Sequence, residues 1–349
     1  MNFTYRSYPN KIIFGTPVLE ALQQETDKPT KFFVIGSSRY NELIDEIRQH
    51  PNIEVVYHFE NVIQHVPKES VDKAVEAITN SGADVILVIG GGSSVGLAKG
   101  MALNHPLPIW SVTTTYSGSE VTNIYGISTD GKKDVGRADI VMPAKVFYDP
   151  SLSLSLPLHL ASTSATNALA HLVEAMYSPE INPITYEVSL LGMRHLLKGM
   201  KSLAKEQKLT EETNENLLMG AYLAGKSLCE VTMGLHHKTA HVLGGNFGME
   251  HSRVHTVILS YTLAHQWEFL SSSLQADLKE ITGSEFPPAA LKELIEDMGA
   301  ATDLKNIGFK EEDISEAAQQ ICAINFESPA PITPPNIEEM LENAFNGKI

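Results

Sequence analysis

The sequence predicts an α/β domain, with helices on both faces of a parallel sheet, followed by an all-α domain. In the first 150 residues, short β-rich runs alternate with helical stretches, and this βαβ alternation is typical of a parallel sheet. After residue 150 the apolar residues recur at helical spacing, and few β-branched runs interrupt them. We therefore expect two domains, at residues 1–153 and 154–349.

The elements of the α/β domain follow from their apolar patterns. Uninterrupted apolar runs predict strands, and apolar residues at helical spacing predict an amphipathic helix over residues 68–81. Residues 120–148 favour a hairpin region with Asp130-Gly131 as its turn, and residues 1–15 an additional edge ribbon. The expected strands are 32–35, 54–57, 84–89 and 109–112, with a further helix at 39–49 and a helical run after the glycine turn that extends through residue 102.

The second half predicts helices alone. The chain has no internal repeat and no low-complexity segment that would indicate a repeat protein. The helices are expected at 158–176, 183–203, 211–232, 236–243, 253–270, 275–282, 288–298 and 311–321.

Composition and charge exclude several classes of partner. The 349 residues are 43% hydrophobic and 19% charged, which is typical of a soluble globular protein with a large core. A formal net charge of −16 argues against nucleic acid or an anionic membrane, and an anionic substrate then needs a locally basic pocket. The two cysteines form no C-x-x-C motif and are typical of a reducing compartment. Since no apolar leader or membrane-length apolar run is present, we expect a cytoplasmic location.

A glycine-rich turn is the most informative motif of the first half. The run Gly90-Gly91-Gly92-Ser93-Ser94 follows a predicted buried strand and opens a helix. Because glycine has no Cβ, a ligand can approach the backbone there, and the first N–H groups of the helix favour an anion. The spacing is neither G-x-G-x-x-G nor a Walker loop, since Lys99 lies too far from the glycines. The turn predicts a phosphate cradle, and the alternative is a tight strand–helix turn without a ligand.

The helical half carries polar side chains in pairs four residues apart, so that each pair shares one helix face. A single histidine in a helix is most often a satisfied core or surface residue, but three such pairs indicate a functional cluster. Four of these side chains supply the ligand count of a tetrahedral metal site, although one of them is an amide, which is a poor ligand for a transition metal. A histidine cluster with a metal and one without a metal therefore both stay open. The pairs are Asn167 and His171, His237 and His241, and His251 and His255.

A series of further motifs runs in order through most of the chain. They include His65-Val66-Pro67, GGGSSVGLAKG at 90–100, TTTYSGSEVTNIYGI at 113–127, TNALAHLVEAMYSP at 166–179 and LHHKTAHVLGGNFGMEH at 235–251. Together they resemble the iron-containing alcohol dehydrogenase superfamily, and within it the chain looks most like the maleylacetate reductases. Gly96 and Asn167 stand where many metal-dependent relatives have Asp, and both agree with that subgroup.

The resemblance implies NADH or NADPH as cofactor, in the cleft between the two halves. The glycine turn at residues 90–94 would cradle the pyrophosphate, and His65 would lie on the adenosine side. Ser37 stands where many NAD-preferring relatives have Asp and Arg39 lies two residues on, so we expect NADH use with NADPH tolerated. For Arg39 a simple surface position is the alternative. The remaining cofactor-binding residues implied are Thr113, Thr114 and Ser119.

The resemblance also implies hydride transfer to the C=C bond of maleylacetate, giving 3-oxoadipate, or to a related unsaturated keto-acid, without a metal. Conjugate addition spreads negative charge into an enolate, which hydrogen-bond donors can stabilise. For Arg137 and Lys238 a solvated surface charge is the alternative. The implied catalytic residues are His241, His237 and Tyr116, and the implied substrate-binding residues are Asn167, His171, His251, Arg137 and Lys238.

Two other hypotheses stay open. One is a metal-dependent alcohol dehydrogenase or ketone reductase of the same superfamily, with iron or zinc. Its ligands would be Asn167, His171, His237 and His251. The other is a non-catalytic NAD-binding sensor or assembly subunit, which the dense polar pairs disfavour because burying them is costly.

Two further expectations come from comparison with the subgroup. Its pattern is not kept at Ala240, Glu250, Ser252-Arg253 and Ser260-Tyr261. These positions lie around the expected active-site corner, so a different unsaturated or β-keto acid is also consistent with the sequence. Relatives often dimerise through the N-terminal ribbon, so we expect a homodimer by analogy.

Overall fold

The computed structural model describes residues 2–129 and 132–349, which fall into two units. One unit is Ser7–Ser155, and the other combines Met1–Arg6 with Leu156–Ile349. The predicted boundary lies between residues 153 and 154, and residues 2–6 group with the helical unit. The turn expected at Asp130-Gly131 lies outside the described residues.

The α/β unit is built on a parallel sheet, as predicted. Its strands run in the order β1-β8-β5-β4-β2-β3, and every neighbouring pair is parallel. Successive residues of β2 belong to different cores, with Phe33 and Ile35 on one face and Phe32 and Val34 on the other. Both faces are therefore covered. The strands of the unit are β1 (Lys11–Phe14), β2 (Thr30–Gly36), β3 (Ile53–Phe59), β4 (Val85–Gly90), β5 (Ile109–Thr113), β6 (Ile124–Thr129), β7 (Lys132–Arg137) and β8 (Lys145–Tyr148).

Four helices of this unit supply the apolar side chains that cover the sheet. Val71, Ala74 and Ile78 of α3 pack on one face, and Val18 and Leu22 of α1 pack on the other. The short helix α1 was not predicted, because only two of its eight residues are strongly apolar in the core-facing stripe. The helices are α1 (Val18–Glu25), α2 (Asn41–Ile47), α3 (Lys68–Thr79) and α4 (Gly92–Asn104).

The predicted hairpin region at residues 120–148 is correct only in part. β6 and β7 form the expected antiparallel pair, but Lys145–Tyr148 leaves it and becomes β8, between β1 and β5 of the main sheet. Val146, Phe147 and Tyr148 are all buried, a continuous apolar run that suits a central strand and not one side of a hairpin. The N-terminal ribbon is the edge strand β1, which pairs with β8.

The second unit contains no strand among its described residues, and the predicted all-α architecture is confirmed. α5 is almost wholly enclosed by its neighbours, and it packs against α6, α7 and α9. None of the described helices is both long enough and apolar enough to cross a bilayer. The helices are α5 (Leu158–Met176), α6 (Pro183–Glu206), α7 (Glu211–Glu230), α8 (Leu235–Asn246), α9 (His251–Gln266), α10 (Ser272–Thr282), α11 (Pro287–Asp297), α12 (Ile314–Cys322) and α13 (Pro334–Asn346).

Candidate active site

The glycine turn lies at the carboxyl end of β4, where an open parallel sheet binds ligands. Gly90 ends β4, and α4 begins at Gly92 without any side-chain cap on its first N–H groups. A Cβ on Gly91 would come within 2.6 Å of Thr115 Oγ1, so a side chain at that position would have to displace Thr115. Uncapped N–H groups at the start of a thirteen-residue helix suit an anion, and these residues fit a dinucleotide pyrophosphate.

Two of the other predicted cofactor residues lie directly beside this turn. Thr113 and Thr114 are buried at the end of β5, and the Thr114 amide donates to the Gly90 carbonyl at 3.2 Å. The Tyr40 hydroxyl donates to Thr114 Oγ1 at 2.9 Å, which ties the β2 end of the sheet to the β5 end. Ser37 is exposed just after β2, and these strand ends therefore form one edge.

Arg39 has protein partners of its own. Its guanidinium donates to the carbonyl and the hydroxyl of Ser155, at 2.8 Å and 2.6 Å. A 2′-phosphate would have to compete with those bonds. The structure thus gives Arg39 a local role that the sequence had left open.

The segment around His65 has an unusual backbone. His65 and Val66 both have positive φ, at 63° and 51°, a region that β-branched residues rarely adopt. The strain is offset by packing, because Val66 is buried against the helix surface at Gly96, where a Cβ would lie 2.7 Å from Val66 Cγ2. Gly96 therefore makes room for Val66, while His65 stays exposed.

A buried lysine fixes the segment that carries Ser119. The Lys99 ammonium is fully buried in α4 and donates to the carbonyls of Ser119, Thr122 and Ile124 at 2.7 to 2.8 Å. Glu120 is also fully buried and accepts a hydrogen bond from the Tyr148 hydroxyl at 2.7 Å. Lys99 therefore binds protein carbonyls. This agrees with the sequence analysis, in which Lys99 lies too far from the glycines to be the lysine of a Walker loop.

Tyr116 and Arg137 also lie in the α/β unit. Tyr116 is fully buried, and burial raises the pKa of its phenol above the usual value, so that the hydroxyl stays protonated at neutral pH. Arg137 is exposed on β7 and donates to Asn123 Oδ1 at 3.4 Å.

In the helical unit, three helices bring the predicted polar pairs into one cluster. The rings of His171 and His237 stack with centroids 4.6 Å apart, and those of His241 and His251 stack at 5.6 Å. His241 is exposed, whereas His171 and His237 are buried. We name this group the histidine cluster; it comprises Asn167, His171 and Glu174 of α5, His236, His237 and His241 of α8, and His251 and His255 of α9.

A hydrogen-bonded chain runs through the cluster. His236 Nδ1 contacts Thr262 Oγ1 at 3.1 Å, and His236 Nε2 contacts His255 Nδ1 at 2.8 Å. His255 Nε2 in turn contacts His251 Nε2 at 3.0 Å. The chain thus links the interior of α9 to the partly exposed His251 at its first turn.

The anchoring threonine fixes which nitrogens carry protons. Thr262 donates its only hydroxyl proton to the Ile258 carbonyl at 2.9 Å, so its oxygen accepts from His236 Nδ1–H. Burial lowers the pKa of His236 to about 3 and holds the pKa of His255 well below its usual value, so both rings are neutral. Each neutral ring has one N–H, so His255 donates its Nδ1–H to His236 Nε2 and accepts at its own Nε2. His251 Nε2 is therefore the donor to His255.

Glu174 and His237 form a buried pair. Glu174 Oε2 lies 2.5 Å from His237 Nδ1, and Glu174 Oε1 accepts the His236 backbone N–H at 2.8 Å. Burial raises the pKa of Glu174 to about 8, although backbone N–H groups at the start of α8 and the charge of Lys238 oppose the rise. Burial likewise lowers the pKa of His237. The two groups titrate as a pair that is neutral overall at pH 7.

Three polar atoms of the cluster have no hydrogen-bond partner among the described residues. They are Asn167 Oδ1, His171 Nδ1 and His237 Nε2, and all three are buried. Burial also lowers the pKa of His171 to about 4, so its ring is neutral. A buried polar atom without a partner costs about 1–3 kcal/mol, and three of them on adjacent side chains indicate a place where a ligand completes the bonds.

Two of the four positions that the resemblance names suit a divalent transition metal poorly. Within residues 2–129 and 132–349, no group of three or more His, Cys, Asp or Glu side chains is placed to hold one. Of the four positions that the resemblance names, His251 commits its Nε2 to His255, and Asn167 offers a neutral amide. The groups that the cluster itself provides are neutral imidazoles, an amide and a buried carboxyl.

Sequence reasoning missed Glu174, His236 and Thr262. Glu174 follows His171 by three residues on the same helix face, and a carboxylate inside a helix without a charged neighbour was the available signal. His236 and Thr262 gave no such signal. Their partnership spans two helices and depends on tertiary packing.

Comparisons with known proteins place both units in one family. Residues 9–150 match the iron-containing alcohol dehydrogenase family, and residues 161–345 match the C-terminal part of the Fe-containing alcohol dehydrogenase family. Maleylacetate reductase 1 of Cupriavidus pinatubonensis is 34% identical over 348 residues, 99% of this chain and 98% of that protein.

Solved structures agree with these matches. The maleylacetate reductase of Agrobacterium tumefaciens superposes with a TM-score of 0.93 at 30% identity, over 100% of this chain and 99% of that one. The enzyme of Rhizobium sp. strain MTP-10005 gives 0.91 at 32% identity, over 99% of each chain. Fold, cluster and relatives together define an oxidoreductase. The chain belongs to the iron-containing alcohol dehydrogenase family, and the predicted resemblance is confirmed.

Proposed function

We propose that the protein reduces the C=C bond of maleylacetate or a related unsaturated keto-acid, with NADH or NADPH as hydride donor and without a bound metal. The relatives that match along the full chain are named maleylacetate reductases. The observation that carries the proposal is the set of three unpartnered buried atoms beside the Glu174–His237 pair. Such a site can bind a polar substrate and can deliver a proton.

The nicotinamide cofactor, held by the glycine turn, supplies the hydride when bound. Hydride addition to the C=C bond leaves an enolate, which needs hydrogen-bond donors and then one proton at carbon. The residues of the cluster must therefore provide both. Gly90–Ser94, Thr113 and Thr114 are the residues we assign to the cofactor, with Ser37, His65 and Ser119 at its margins.

His237 is the proposed proton donor. Because burial raises the pKa of Glu174 to about 8, the Glu174–His237 pair holds two protons at neutral pH. One proton lies in the bond between Glu174 Oε2 and His237 Nδ1, and the other is on His237 Nε2. As Nε2–H donates to the enolate and then gives up its proton, the proton of the Glu174 bond can move to Nδ1 and keep the imidazole neutral.

Asn167 and His171 are the proposed substrate-binding residues nearest to that donor. Their unpartnered atoms lie on one face of α5, four residues apart. An amide and a neutral imidazole bind oxygen without placing a negative charge beside a substrate that carries two carboxylates. His241 is exposed, and His251 and Lys238 are half-buried, so water can reach them and they can exchange protons or attract the substrate.

Cofactor preference and assembly are parts of the same proposal. We expect NADH to be preferred over NADPH, because the Arg39 guanidinium is already bonded to Ser155. We also expect a homodimer through the N-terminal segment that contains the edge strand β1. Light scattering on the purified protein tests the dimer.

The decisive experiment follows NADH oxidation with a panel of keto-acids. We expect turnover with maleylacetate or another unsaturated keto-acid and none with the saturated product 3-oxoadipate. Deuterium from NADH labelled at C4 should appear at a carbon of the former C=C bond, and a chelator should not lower the rate. Deuterium found on a carbinol carbon would identify a ketone reductase. NADH binding without turnover on the whole panel would favour a sensor.

A further inference from the structure

The helical unit also contains a recess to which the proposed reaction assigns no role. It has a volume of about 300 Å³, at the lower end of the range for small-molecule sites. The N-terminal ends of α5 and α9 and residues 299–301 form its walls. These two helices pack against each other, so the recess is part of the same helical framework as the histidine cluster.

The recess is next to the cluster along both helices. Thr163 lines it one helical turn before Asn167, so the two side chains share a face of α5. Arg253 lines it from α9, two residues after His251. The recess therefore begins about one helical turn from Asn167 along α5 and two residues from His251 along α9.

The lining combines one free cation with an apolar wall. Arg253 is exposed and forms no hydrogen bond or ion pair with any residue that the structure describes. Glu250 is the only acid in the lining, and its Oε1 accepts from Ser252 Oγ at 2.8 Å. Leu160, Ala300 and Ala301 supply apolar surface to the same lining, and 41% of Leu160 is exposed.

We propose that this recess binds the far end of an organic acid, with the Arg253 guanidinium holding its carboxylate and Leu160, Ala300 and Ala301 contacting its hydrocarbon part. A guanidinium binds a carboxylate through two parallel N–H bonds, which gives orientation as well as affinity. In a protein of net charge −16, such a local cation is what allows an anion to bind. The inference rests on the proposed function, because the reacting end of the same acid is assigned to the histidine cluster.

The test measures binding by titration calorimetry, with the full-length protein and without cofactor. The probes are hexanoate and 3-phenylpropionate, each compared with its neutral amide. The acids should bind wild type more tightly than the amides do. Arg253→Ala should weaken acid binding about tenfold to a hundredfold, since a charge-assisted hydrogen bond is lost, and leave amide binding unchanged. Arg253→Lys, which keeps the charge but not the planar fork, should fall between the two.

Arg194→Ala is the matched control, because Arg194 is also an exposed arginine on a helix of this unit but does not line the recess. Equal binding of acid and amide, equal binding by wild type and Arg253→Ala, or no binding of either acid at millimolar concentration would overturn the inference. Unfolding curves that match wild type establish that each variant is folded. Because no turnover is measured, an Arg253-dependent affinity stands even if every keto-acid fails in the NADH assay. If turnover is found and this affinity is not, only the recess is lost.

Discussion

At the scale of single residues, Glu174 determines what His237 can do. A histidine with a free Nε2 lone pair accepts protons, whereas one with an Nε2–H donates them. The carboxyl of Glu174 is buried and bonded to Nδ1, so its protonation decides which of these His237 is. The sequence analysis named His237 as catalytic, but it gave no sign that a buried carboxyl bonds its Nδ1.

Replacing Glu174 by Gln tests this coupling. The amide can still accept the His236 N–H, so the helix start should be preserved. It cannot pass a proton to His237 Nδ1, and kcat should therefore fall roughly 10²- to 10⁴-fold, with KM for NADH unchanged. In wild type the pair loses a proton as the pH rises through the pKa of Glu174, about 8, so kcat should fall on that limb. Rate measurements from pH 6 to 9 should show that kcat of the variant has no such decline at alkaline pH.

Glu180→Gln is a suitable control for that variant. Glu180 also accepts a backbone N–H, from Thr232 at 2.6 Å, but it is exposed and bonds to no histidine among the residues that the structure describes. Its replacement should leave both kcat and the alkaline limb as in wild type. An alkaline limb that persists in Glu174→Gln would show that another group titrates there.

At the scale of elements, the β4–α4 turn depends on glycine for packing and for ligand approach. We expect Gly91→Ala to displace Thr115, because the new Cβ would lie 2.6 Å from Thr115 Oγ1 and 3.2 Å from its Cβ. Displacing Thr115 would also shift the glycine turn, and with it the N–H groups of α4 that we assign to the cofactor phosphates. NADH affinity, measured by fluorescence titration, should fall at least about tenfold, corresponding to roughly 1.4 kcal/mol.

Gly245→Ala provides the comparison. Gly245 lies within α8, and a Cβ there meets no atom within 4 Å. Alanine is the better helix former by about 0.5–1 kcal/mol, so this variant should unfold at slightly higher temperature and bind NADH as wild type does. If Gly91→Ala binds NADH normally, the turn is a packing feature and not a phosphate cradle.

The elements also show what the sequence can and cannot predict. The buried strand 84–89 and the helix 158–176 have long periodic patterns, and the structure has them as β4 and α5 with ends shifted by at most one residue. β8 was misplaced because four residues cannot reveal that their partners are β1 and β5, more than thirty positions away in the chain. α13 was missed although Ile337, Met340, Leu341 and Ala344 show helical spacing, so that signal was present.

The same limit applies to the site. The i, i+4 spacing predicts that Asn167 and His171 share one face of α5, because helix geometry alone aligns them. The stacking of His171 on His237 joins α5 to α8 and depends on tertiary packing. The proton directions along the chain from Thr262 to His251 were out of reach, since they depend on contacts between α8 and α9. The sequence also offered no means of predicting which histidines are exposed. His241 is exposed, whereas His237 is buried.

At the scale of the whole molecule, the buried histidines make folding depend on pH. Burial lowers the pKa of His171 to about 4 and that of His236 to about 3, and His237 and His255 are lowered as well. In the unfolded chain the same rings titrate near 6.5. Between these values the unfolded state binds more protons than the folded state, so the free energy of unfolding falls as the pH falls.

The predicted loss is large enough to measure. Consider a ring whose pKa is near 6.5 in the unfolded chain and about 4 in the folded chain. Its protonation lowers the free energy of unfolding by about 2 kcal/mol between neutral pH and pH 5, at about 1.4 kcal/mol for each pH unit between the two pKa values. Urea unfolding at pH 7, 6 and 5 should show a steep decline in wild type, and His171→Asn should reduce its slope. His105→Asn removes a half-buried histidine of the other unit and is the comparison variant. Equal slopes for all three proteins would mean that the cluster opens to water and takes up protons before the chain unfolds. The same opening would remove the water-free environment on which the Glu174–His237 proton transfer depends.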